Sequence, residues 1–143
     1  SNIALLRPYL QGKRASLTQR NSQARVQLGE KGEFPANQYR LTNIGTFRAY
    51  AEVYLRGNPA VHQAMMLMVR TMEPTPEGVP IEVYCFTAST DWTVYEGTQG
   101  DIFDHLLAIL PEFGLRLYQS PTGNDLRLGM AQRTQTGQVL ENA

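Results

Sequence analysis

Between Thr42 and Gln119 the spacing of apolar residues changes period twice, and that change restricts the fold more than any other feature of the chain. In "TNIGTFRAYAEVYLRGNP", Phe47, Tyr50, Ala51 and Tyr54 recur at steps of three and four, which marks one face of a helix. Thr42 or Asn43 is placed to cap its start, and Gly57-Asn58-Pro59 to stop it. The segments "MMLMVRTME" (65–73) and "IEVYCFT" (81–87) then read as strands of an antiparallel hairpin joined by "PTPEGVP". In the second strand Ile81, Val83, Cys85 and Thr87 point to one face, Glu82, Tyr84 and Phe86 to the other. The helical period returns after "TASTD", where Trp92, Tyr95, Gln99, Ile102, Phe103, Leu106, Ile109 and Leu110 form a stripe. Thr90 or Asp91 caps this helix, Pro111 marks its last turn, and Gly114 is set for a left-handed cap. "LRLYQ" (115–119) reads as a further short strand. The expected fold class is α+β: a ferredoxin-like split βαβ half in the order helix, strand, strand, helix, strand, with helices on one face of a small mixed sheet and a right-handed crossover.

The flanks are less patterned. "IALLRPYL" predicts a short helix limited by Pro8, and residues 11–38 a long polar loop, so 1–39 is expected to precede a domain over 40–123, with a polar tail at 124–143. The opening Ser1-Asn2 reads as a scar of tag removal, which makes the chain an excised fragment.

Charge and cysteine content exclude several classes. Lys plus Arg equals Asp plus Glu at 13 each, so no overall basic field would hold nucleic acid. The most basic stretch, "GKRASLTQRNSQAR", has no aromatic residue to stack on bases and reads as a solvated segment. The one cysteine rules out an internal disulfide and a cysteine-based zinc site, and suits a reducing compartment. No apolar run approaches the roughly 18 to 20 residues of a membrane span, so these residues are expected to be soluble.

Candidate chemistry is thin. Asp101, Asp104 and His105 lie together on the last helix, opposite the proposed stripe, so a solvated face is expected rather than a metal or acid/base cluster. His62 has no carboxylate motif beside it. Cys85, mid-strand among apolar residues, reads as core rather than nucleophile, and the methionines Met65, Met66, Met68 and Met72 as gap-filling core. "GTQGD" and "PTGND" lack any phosphate-loop pattern. These residues support no catalytic, cofactor or metal site.

The stretch "RLTNIGTFRAYAEVYLRGNPAVHQ", followed by "LMVRTMEPTPEGVPIEVYCFTASTDWTVYEGTQGDIFDHLLAILPEFGLRLYQSPTG", closely resembles the C-terminal cytoplasmic region of bacterial miniconductance mechanosensitive channels, a branch of the small-conductance mechanosensitive channel family. The likeness runs from about Arg40 to Gly123, with "PIEVYCFT" and "DIFDHLLAILPEFGL" its most specific parts. "IALLRPYL" resembles the family's segment just after its β domain, while 11–38 and the tail carry little resemblance. The resemblance implies a non-enzymatic, homo-oligomeric ion channel on the cytoplasmic side of the bacterial inner membrane. Upstream segments form the pore, and α/β domains, seven in the best-known members, close a cage beneath it. The gate responds to tension after osmotic downshift. It implies identical subunits as partners, membrane contact through upstream segments, no nucleic acid and no cofactor. Two other classes remain: a ferredoxin-like domain sensing a small ligand, and an enzyme using Asp101, Asp104 and His105. Without the membrane part, the fragment is expected to be a monomer or weak oligomer.

Overall fold

A computed structural model describes residues 4–128. It is a mixed helix and sheet structure built around a two-stranded antiparallel sheet. A 3₁₀ turn (Ala4–Leu6) leads into α1 (Arg7–Leu28); α2 (Asn43–Arg56), β1 (Met68–Thr71), β2 (Ile81–Tyr84) and α3 (Trp92–Ala108) follow, and a 3₁₀ turn (Leu110–Phe113) ends α3.

The predicted caps of the two inner helices form. The Thr42 hydroxyl accepts from the Gly45 amide at 3.1 Å, and the Asp91 carboxylate accepts from the Val94 amide at 3.1 Å. After α3, Gly114 takes φ 66°, and the Leu115 amide donates back to the Leu110 carbonyl at 3.1 Å, closing a Schellman turn that any Cβ would strain. Losing the cap oxygen leaves a helix donor unmet, so Thr42→Ala should cost about 1 kcal/mol, roughly 3 to 4 °C in Tm by calorimetry.

The hairpin pairs Met68 with Tyr84 and Thr71 with Ile81, with an ion pair between Arg70 and Glu82 across the ladder. The strands are shorter than expected. Met65 and Met66 lie before β1, and Phe86 and Thr87 beyond β2, where Thr87 makes a lone bridge to Val61. Ile81, Val83 and Cys85 pack on the core as predicted for that face. Three of the four methionines do not fill gaps: Met65, Met66 and Met72 are exposed and Met68 is half-buried, while Leu67 and Val69 are the buried residues here.

The core joins Phe47, Tyr50, Ala51 and Leu55 of α2 to Val61, Leu67 and Val69, to Ile102 and Leu106 of α3, to Phe113, and to Leu6. The buried face of α3 keeps the Ile102, Leu106, Ile109 and Leu110 part of the predicted stripe but is rotated towards Thr98 and His105, so the rest of the stripe faces out. Trp92 is 73% exposed, Phe103 50%, and Tyr95 and Gln99 are also exposed, whereas Thr98, Ile102 and Leu106 point inward. Two strands are too narrow to cover the predicted stripe, and the aromatic residues of α2 draw the His105 side of α3 inward. Residues 115–119 carry no strand. The Schellman turn redirects the chain there, and Leu117 and Tyr118 stay about half exposed.

The largest departure is α1, a helix of 22 residues where a loop is expected from Gln11 onward. Pro8 sits in the first turn, where its missing amide costs nothing, and 13–28 contains no further Gly or Pro. Apart from Tyr9 and Leu10, which pack on the core, α1 leaves the body, and none of its residues is buried. The chain returns along it through 3₁₀ turns at Gly29–Glu33 and Pro35–Asn37. Gly32 lies so close that a Cβ there would be 2.8 Å from the Ala24 carbonyl oxygen. The Asn21 amide clasps the Tyr39 backbone with two hydrogen bonds, at 2.8 and 3.2 Å. Residues 7–39 therefore form a hairpin-like arm. At the far end, 123–128 are helical behind a Thr122–Asp125 capping exchange, and the predicted tail beyond 128 lies outside the described residues.

Candidate functional site

Two places on the body gather side chains capable of more than packing. The first is a ladder of rings between α2 and α3. Tyr50 and Tyr54, one helical turn apart on α2, stack nearly parallel at 6.4 Å, and the His105 imidazole lies on Tyr54 at 4.1 Å. The Tyr50 hydroxyl and His105 Nε2 share a hydrogen bond of 2.8 Å. His105 is thus half-buried and engaged, which corrects its placement on a solvated face. Asp101 and Asp104 do stay exposed, and neither bonds to His105 among the described residues. The three do not meet in one cluster, and no group of three His, Cys, Asp or Glu side chains able to hold a metal exists among the described residues. Asp101 lies one turn before His105 on the same side of the helix, but the ring leans onto the tyrosines of α2 while the carboxylate stays exposed.

Burial, together with the neighbouring Tyr54, pushes the Tyr50 phenol above its ordinary range. That makes it a poor proton donor near neutrality and suits it to hold His105 in place. A raised folded-state value means that above about pH 10 the unfolded chain gives up a proton that the folded one retains, so stability falls as pH climbs through that range. Tyr50→Phe should cost about 0.5 to 1.5 kcal/mol at pH 7, by leaving His105 Nε2 without its partner. In denaturant titrations the gap to the parent should narrow above pH 10, since the variant lacks that ionisation.

The second place is an apolar groove of about 550 Å³ between the hairpin and the end of α3. Phe47, Ile81, Val83 and Leu106 line it, with Leu117 and Tyr118 at its margin. It adjoins β2, which pairs with β1 on one edge and, among the described residues, with no strand on the other. The volume is in the range of small-molecule sites.

No family model matches the chain, and no solved structure matches it. What the residues can do is therefore read from their own geometry. Cys85 is half-buried and burial pushes its thiol up, away from the thiolate a nucleophile needs. His62 is half-buried, with Nδ1 enclosed and without a partner among the described residues, while its backbone amide donates to the Phe86 carbonyl at 2.7 Å. The ring ladder and the groove were not found from sequence. The ladder had a signal, since Tyr50 and Tyr54 are one turn apart, but its partner His105 sits across the fold. The groove had none.

Proposed function

We propose that the chain is the cytoplasmic vestibule, or cage, domain of a bacterial mechanosensitive ion channel of the miniconductance branch, contributing to subunit assembly and to the ion path below a pore that opens on membrane tension during osmotic downshift. The observation that carries this reading is the coincidence of resemblance with packing. The stretch from Arg40 to Gly123 contains every buried apolar side chain among the described residues except Leu6. The family-like segment is thus the packed unit. The half-buried and exposed apolar residues around the groove, beside an unpaired strand edge, suit a domain that works against copies of itself.

In this reading the partners are identical subunits, seven in the best-known relatives, and the membrane is reached through upstream segments. The domain neither catalyses nor binds nucleic acid. No helix of the described residues is long and apolar enough to cross a membrane, which is compatible with a place beneath one. The split βαβ topology belongs to the proposal as well. It needs a third strand, and Leu115 to Gln119 alternates in polarity, with Leu115 and Leu117 lining the same groove as Ile81 and Val83 of β2.

Deleting residues 40–123 from the polypeptide that carries them should abolish ring assembly and tension-gated conductance, read by patch clamp and by survival of downshock. A parent without membrane-spanning segments, or a conductance indifferent to the deletion, rejects the reading. The groove favours a second reading, a ferredoxin-like module sensing a small apolar ligand. A compound that raises Tm in a concentration-dependent way, with the effect lost on filling the groove by Val83→Trp, would support it.

A further inference from the structure

The balanced total charge conceals a division. Residues 1–40 hold seven Lys and Arg against two Asp and Glu, while residues 41–143 hold six against eleven. The division is sharpest between two helices. α1 carries Arg7, Lys13, Arg14, Arg20 and Arg25 and no acid, whereas α3 carries Glu96, Asp101 and Asp104 and no Lys or Arg. No salt bridge joins arm to body among the described residues. Arg7 and Arg14 have no acidic partner there, and Arg25 only approaches Glu33 of its own arm at 4.0 Å. Glu96, Asp101 and Asp104 are exposed and likewise without a cation.

The charges are also placed to meet. At about 100° per residue, Arg7, Arg14 and Arg25 fall within about 20° of one line along α1, and the first two are about 10 Å apart along the axis. Glu96 and Asp104 are about 12 Å apart along α3, with Asp101 between them. Since these groups do not pair within one chain, we infer that the basic stripe of α1 docks on the acidic face of α3 in a second copy of the chain. The contact is heterologous, arm onto body, so repetition either closes a ring or continues as a filament. Exposed ion pairs are individually weak and salt-screened, so the association is modest and strongly dependent on ionic strength. The inference does not depend on the channel reading, because it concerns self-association of this chain.

Sedimentation velocity on the 143-residue chain over a wide concentration range tests it, at about 20 mM and about 300 mM salt, where screening of exposed pairs differs most. The expected result is self-association at low salt that weakens at least tenfold at high salt. It should be lost in Arg7→Gln/Arg14→Gln/Arg25→Gln and equally in Glu96→Gln/Asp101→Asn/Asp104→Asn, each keeping the parent's circular dichroism. The decisive arm mixes Arg7→Glu/Arg14→Glu with Asp101→Lys/Asp104→Lys: neither should associate alone, and the mixture should. A chain monomeric throughout at low salt overturns the inference, as does association untouched by salt and by both neutralised variants, which would place the interface elsewhere. Binding of the arm to anionic phospholipid vesicles without self-association also overturns it, and assigns the stripe to a lipid surface.

Discussion

Phe47→Ala should destabilise the protein by about 3 to 5 kcal/mol, a large part of the roughly 5 to 15 kcal/mol that holds a domain of this kind together. Phe47 is 5% exposed, meets Phe113 edge-on at 5.5 Å, and lines the inner end of the apolar groove. Removing the ring strips contacts from α2, from Phe113 and from the α3 end at once, and the cavity left behind opens into the groove. Phe103→Ala makes the same chemical change on a ring that is 50% exposed, and should cost no more than about 1 kcal/mol. Urea denaturation of both variants, compared at constant m, decides the matter. Equal losses would mean that α3 packs on the stripe of Trp92, Tyr95 and Phe103 after all.

Leu6→Ala should cost about 2 to 5 kcal/mol although it lies ahead of the arm, far in sequence from the rest of the core. Its side chain is 1% exposed and belongs to the same core as α2. Val26→Ala, in the same N-terminal part of the sequence but 86% exposed, should stay within about 0.5 kcal/mol. A Leu6 variant as stable as the Val26 variant, by the same urea titration, would show that the body folds without its N-terminal anchor.

What could be read from the sequence was governed by local chemistry. The boundaries of α2 and α3 were legible because Thr42, Asp91 and Gly114 act within a few residues of themselves. The hairpin was legible because turn residues lie between two apolar runs. The arm was not, because apolar periodicity reports burial, and α1 buries none of its residues; its evidence lay in helix-forming residues and in Pro8 at a tolerated position. The facing of α3 depended on how wide a sheet lies beneath it, a fact about other segments. A third strand over 115–119 would have favoured the predicted stripe. Without it, His105 turns to the tyrosines and Phe103 to the groove. The candidate site was the least legible part, since the contacts that complete the ladder join Tyr50 and Tyr54 to His105, some fifty positions later.

The clasp of the arm differs in kind from what holds the body. Gly32 against the Ala24 carbonyl, and Asn21 against the Tyr39 backbone, are short-range polar and steric contacts with little apolar area behind them. Most of the stability of a helix in a protein comes from packing an apolar face, and α1 buries none of its residues. The molecule therefore contains two cooperative units of unequal strength. Amides of α1 beyond the first turns should exchange with solvent through local opening, at a free energy well below that for α2, whose release requires the whole core to come apart. An interface built on the arm is then joined to a segment that can melt and re-form while the body stays folded, so assembly and folding of this chain answer to separate equilibria.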